Sequence, residues 1–211
     1  MMVEAAKITL SDKELELVCN TDWIFTKHII IKKVVQLFGD IVPVLENELE
    51  QAQAFLPHEI FTKRAKISKG ENHQLLPYVM LDYPRYFNKN DILAIRTFFW
   101  WGNFFSITLQ LAGKCKVEME QRLQDSFNYF QQNNYCICIN DTQWEHDFSS
   151  NNYLPVTEMA QEHFSATLSR KPFVKLAKKI PLQSWQTVPA FIIKSYEEII
   201  QLIKTDQAPN L

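Results

Sequence analysis

Residues 98–105 read Phe98-Phe99-Trp100-Trp101-Gly102-Asn103-Phe104-Phe105, six aromatic rings packed around one Gly-Asn pair. Two β-prone arms, about 93–101 and 104–111, flank that pair. Such runs separated by two turn-forming residues read as a β-hairpin, because glycine supplies the positive φ that tight primed turns require. A two-residue turn sets Trp101 opposite Phe104, Trp100 opposite Phe105, Phe99 opposite Ser106 and Phe98 opposite Ile107. Directly opposed residues share a face. One face then carries Phe98, Trp100, Phe105, Ile107, Leu109 and Leu111, with Arg96 as its only charge; this is the expected core face. The other carries Ile95, Thr97, Phe99, Trp101, Phe104, Ser106, Thr108 and Gln110. It is aromatic near the turn and hydroxylated further along, the composition of a recognition surface or a pocket lining.

Composition narrows the classes around this hairpin. The chain has 211 residues, 46% hydrophobic and 22% charged, enough to bury a sizeable core within one domain spanning 1–211. Its 4 glycines cannot supply the loops of a dinucleotide or P-loop fold, and neither fingerprint occurs. They also argue against an all-β protein built on many tight turns. A net charge of −2 gives no electrostatic reason to expect nucleic acid as the main partner. The four cysteines, Cys19, Cys115, Cys136 and Cys138, are not spaced as a disulfide scaffold. Met1–Leu10 contains Glu4 and Lys7 and lacks the apolar core of a secretory leader, so a reducing, cytoplasmic setting is expected. Arg96, Asn103 and Gln110 interrupt the apolar stretch 92–112 and exclude it as a membrane span.

Helices precede the hairpin. Ser11-Asp12-Lys13-Glu14 is a capping box that opens one. A second is expected from about Asp22, stopping at Gly39, and a third from Asp40 to about Leu56, with Pro43 in its first turn. From residue 62 the pattern turns to strands: weak alternation over 63–68, an apolar run over 78–81, then the hairpin arms. A helix over 114–132, a strand over 135–139, a polar loop over 142–153 and a short helix over 155–163 follow. The segment 173–180 reads as an edge strand whose lysines blunt self-association. Ile192, Tyr196, Ile199 and Ile203 make the stripe of an amphipathic helix over 188–204. The expected fold is therefore α+β: an antiparallel sheet built around the 93–111 hairpin, packed against helices from the N-terminal part (11–56), from 114–132 and from the C-terminus.

Chemistry is sparsely marked. The strongest polar grouping is the loop Lys69–His73 followed by Asp82-Tyr83-Pro84-Arg85. There His73 could act as acid or base and Arg85 could clamp a carboxylate or phosphate; an Asp82–Arg85 local ion pair is the plainer expectation. Cys136-x-Cys138 with His146 completes no zinc spacing and reads as buried small hydrophobes. Asp141, Glu145, His146 and Asp147 cluster around Trp144 without matching a cation-binding motif. No metal site and no cofactor is expected. The sequence is read first as a binding or interaction module for a small molecule or a protein, including a second copy of itself, through Arg96, Phe99, Trp101, Phe104 and Ser106. The alternative is a small-molecule enzyme using His73, Asp82, Tyr83 and Arg85, with Arg96 as a further polar group. A third reading, single-stranded nucleic acid on the 170–179 basic stretch, draws on the pairing of cations with stacking rings.

Overall fold

The computed structural model describes residues 8–204. The reading of Met1–Leu10 as lacking a leader falls mostly outside them. Two helices, α1 (Asp12–Cys19) and α2 (Thr21–Glu50), lead into strands β1 (Lys66–His73), β2 (Leu76–Phe87), β3 (Ile92–Trp100) and β4 (Phe104–Ala112). Then come α3 (Gly113–Asp125), α4 (Phe127–Gln132), β5 (Cys136–Cys138), β6 (Tyr153–Pro155), α5 (Gln161–Arg170), β7 (Phe173–Pro181) and α6 (Val188–Lys204). The seven strands form one antiparallel sheet in the order β1-β2-β3-β4-β7-β5-β6, giving the α+β class expected. The Ser11–Glu14 capping box forms at the start of α1 as read.

Helix α2 departs from the expectation of two helices broken at Gly39. It runs unbroken for 30 residues, with Pro43 inside it. A glycine and a proline in a helix interior cost about 1 and 3 kcal/mol. Against that, Ile31, Val34, Phe38, Ile41, Leu45 and Leu49 lie buried along one continuous stripe, each contributing about 1.5–3 kcal/mol of burial. The stripe wins. Gly39 is also the residue four positions before Pro43, whose carbonyl the proline ring crowds and leaves without its N–H partner. The expected 114–132 helix breaks instead, at Ser126, whose hydroxyl donates to the Arg122 carbonyl at 2.8 Å.

The hairpin forms, but its turn is one residue longer than expected. Trp100 pairs with Phe104, Phe99 with Phe105, Phe98 with Ser106 and Arg96 with Thr108. The Asn103 N–H donates to the Trp100 carbonyl at 3.0 Å, and Gly102 sits at φ +73, where its missing Cβ makes that conformation cheap. Trp101 is drawn into the loop because its N–H donates to the Pro77 carbonyl on β2 at 3.0 Å. Side chains alternate with period two, so a one-residue slip exchanges the faces of every β3 residue. Ile95, Thr97 and Phe99 therefore join Phe105, Ile107 and Leu109 beneath the helices. Arg96, Phe98 and Trp100 join Phe104, Ser106, Thr108 and Gln110 on the opposite face. The physical reason lies in Arg96: in the two-residue register its guanidinium, with its β2 neighbour Asp82, would enter the aliphatic core beneath the helices, whereas this register keeps both ions on the opposite face.

The helices cover one face with a continuous core that includes Val34, Phe38, Phe99, Phe105, Leu123 and Ile199. Segment 173–180 is not an edge. As β7 it lies between β4 and β5. Its lysines are accommodated by capture: Lys178 pairs with Glu198 at 2.9 Å over the Tyr135 ring, and Lys179 lies over the rings of Phe104 and Phe148. The real edges are β1, which carries Lys66, Lys69 and Glu71, and the three-residue β6.

Candidate functional site

The face turned away from the helices carries two separate apolar clusters. Phe98, Trp100 and Phe104 form one; Ile92, Ala94, Ala112, Tyr153, Phe173 and Ala177 belong to the other. Between them the ladder sets a polar row straight across the sheet, Asp82 on β2, Arg96 on β3 and Thr108 on β4. Flanking rows add Ser106 and Lys179 on one side and Gln110 and Lys175 on the other. Over all of this lies the fourteen-residue connection 139–152 between β5 and β6.

Arg96 is the hub. Its Nε and Nη2 donate to the two carboxylate oxygens of Asp82 at 2.7 and 3.0 Å, a bidentate pair that is almost wholly buried. Its remaining Nη1 lies 2.9 Å from Nε2 of His146. Arginine is always a donor, so His146 accepts through Nε2 and carries its proton on Nδ1. Burial first, and the charges of Arg96 and Lys175 next, push the His146 pKa down to about 2. The ring is neutral across the physiological range.

Lys175 is the second buried cation, 0% exposed. Its Nζ donates to the Glu145 main-chain carbonyl of the covering segment and lies 5.1 Å from the centre of the Tyr153 ring. No carboxylate of the described residues pairs with it at ion-pair distance. Burial, the largest cause, lowers its pKa to about 8.

His73, at the end of β1, leans over this face. Its ring stands edge-on to Trp100 and Phe98 at 5.0 and 5.3 Å and lies 5.8 Å from His146. Its Nε2 is buried without a hydrogen-bond partner, and desolvation lowers its pKa. Its main-chain carbonyl accepts the Trp100 indole N–H at 3.1 Å.

The covering segment has no helix or strand of its own and is held by short-range bonds and rings. Asn140, Thr142 and Asp147 side chains accept from main-chain N–H groups two residues on. Gln143 accepts from Gln110 at 3.0 Å. Phe148 stacks on Tyr153 at 4.6 Å and packs against both apolar clusters, bridging the polar row.

Of the residues expected to do chemistry, His73, Asp82, Arg96, Phe104 and Ser106 come together on this face. The others do not. Tyr83 faces the helices, its pKa raised to about 12 by burial and by Glu46 and Glu50. Arg85 donates from Nε to the Arg64 carbonyl at 2.7 Å, and Asp82 pairs with Arg96 rather than with it. Phe99 is buried beneath the helices against Phe105 and Trp185, and Trp101 packs on the same side. Cys136 and Cys138 are thiols with pKa raised by burial.

Sequence reasoning missed Lys175 by placing its strand at the edge, and it gave His146 no partner. The usable signal was the connection itself: long segments without secondary structure inside a compact domain are commonly lids or binding loops. Comparison with protein-family models, curated proteins and solved structures finds no match. No described helix is long and apolar enough to cross a membrane.

Proposed function

We propose that the chain is a binding protein for a small anionic molecule with an apolar body, held on the polar row of the sheet when segment 139–152 withdraws. The observation that carries the reading is Lys175. A buried ammonium hydrogen-bonded to one carbonyl of the covering segment and otherwise resting on a ring is costly, and proteins keep such groups where an anion compensates them. A carboxylate or phosphate would take the place of the Glu145 carbonyl on Lys175 and of His146 Nε2 on Arg96 Nη1. Phe98, Trp100, Phe104 and Tyr153 would wall the remainder of the ligand. Asp82 would stay on Arg96 and fix the fork's plane, leaving one edge of the guanidinium for the ligand.

The enzyme reading is weaker, because Tyr83 and Arg85, two of its expected groups, do not reach this face. The test uses phenyl phosphate and benzoate as probes, with benzylamine as the cationic control, followed by tryptophan fluorescence and calorimetry. The anions are expected to bind and benzylamine is not. Lys175→Met should weaken anion binding at least tenfold, about 1.4 kcal/mol. Equal response to benzylamine, or undiminished anion binding by the variant, would overturn the reading.

A further inference from the structure

The N-terminal end exposes far more apolar surface than a lone soluble domain tolerates. Helix α1 buries none of its residues, and Leu15, Leu17 and Val18 are 53%, 53% and 68% exposed. The first turns of α2 continue the patch with Trp23, Phe25 and Ile29, each half or more exposed. With Ile8, Leu10 and Ile24 added, and at roughly 150–200 Å² per large side chain, the exposed part is on the order of 800 Å². That total, carried on more than one side of α1, is comparable to one partner's share of a standard protein interface.

We infer that this surface pairs two copies of the chain reciprocally, α1 of each copy seating in the groove beside α2 of the other. Three observations fix the occupant. The groove is a cavity of about 630 Å³ lined by Phe25, Ile31 and Val35, with His28, Lys32 and Lys69 among its lining residues. Helix α1 has the matching character: its apolar Leu15 and Val18 are flanked by Asp12, Glu14 and Glu16. Acid on one element and base on the other make the surface complementary to itself, which a two-fold contact demands. Finally, α1 cannot fill the groove of its own chain. Only Asn20 separates α1 from α2, whereas helices folded back on one another need a loop of about 2–5 residues. The two helices must diverge, and the groove is left for another molecule.

The test is a charge exchange, read by sedimentation of the full chain. The unaltered protein is expected to be a dimer at micromolar concentration. Asp12→Lys with Glu16→Lys, and separately Lys32→Glu with Lys69→Glu, should each shift it to monomer. All four positions are exposed, and unchanged far-ultraviolet circular dichroism would verify that the variants fold. The four-fold variant, with both charges exchanged, should recover the dimer, an outcome that only pairing with a second copy predicts. A monomeric unaltered chain, a four-fold variant that stays monomeric, or capture by anionic phospholipid vesicles without self-association would each overturn the inference.

Discussion

The two faces of the sheet bury similar rings by opposite means. Beneath the helices the core is continuous and aliphatic-aromatic, and the ion pair of Lys178 with Glu198 on that side belongs to a cluster with Tyr135. Beneath segment 139–152 the apolar clusters are split, and the ions occupy the centre. Aromatic content does not produce this difference, since both faces receive phenylalanine and tryptophan. What differs is the cover. Helices satisfy their own main-chain groups and can lie on hydrocarbon, whereas an irregular segment needs polar partners for its carbonyls and amides. The Glu145 carbonyl finds one in Lys175. The lesson is that a loop-covered face has to be polar, and polarity under a cover is where binding chemistry can be stored.

The sharpest way to break this contrast is to remove the hub. Arg96→Leu strands the buried Asp82 carboxylate and should destabilise the fold by about 3–5 kcal/mol in urea denaturation. Adding Asp82→Leu should restore most of that loss. If the double variant is as unstable as the single one, the pair is not what organises this face.

A smaller effect comes from acid. The folded pKa of His146 is depressed to about 2 from 6.5, so the unfolded chain binds the extra proton throughout the interval between those values. Stability therefore falls as pH is lowered from 6.5, by about 2 kcal/mol on reaching pH 4.5 from this residue alone. His73, depressed in the same direction, adds to the fall. His146→Gln should flatten the profile over that range by about the stated amount, and an unchanged slope would place the acid sensitivity elsewhere.

The mildest effect lies on the alkaline side. The folded pKa of Lys175 is lowered to about 8 from 10.5. Between those values the unfolded chain holds the extra proton, so stability rises with pH across that window. From pH 8 to 9.5 the gain is about 1–2 kcal/mol. Lys175→Met should abolish the rise, and a rise that survives in the variant would contradict the burial of this ammonium.

Much of the architecture was legible because it rests on local periodicity. The apolar stripe of α6, the capping box of α1 and the existence of the aromatic hairpin all follow from spacing alone. The errors came where distant partners decide. The turn at Gly102 lengthened because β2 supplies a carbonyl for the Trp101 N–H, and no local feature of 98–105 signals Pro77. Helix α2 ran through Gly39 and Pro43 because core burial outweighs two unfavourable propensities. Segment 173–180 looked like an edge because its lysines read as solvated, yet the rings and carboxylate that receive them lie on β4, β6, α6, the 139–152 connection and the turn before β5. The candidate site was half legible for the same reason. His73, Asp82 and Arg96 stand out as types, but only the slipped register puts Arg96 and Asp82 on the face that His146 and Lys175 share.

One consequence follows from how the covering connection is rooted. Its two ends are already fastened together, Cys138 opposite Tyr153 in the ladder and the Ile139 N–H on the Asn152 carbonyl at 2.8 Å. Whatever happens between them need not disturb the strands, because the clasp closes before the excursion begins. The intervening stretch can therefore change in length and sequence without re-registering β5 on β6, so long as it still brings acceptors to Lys175 and Arg96.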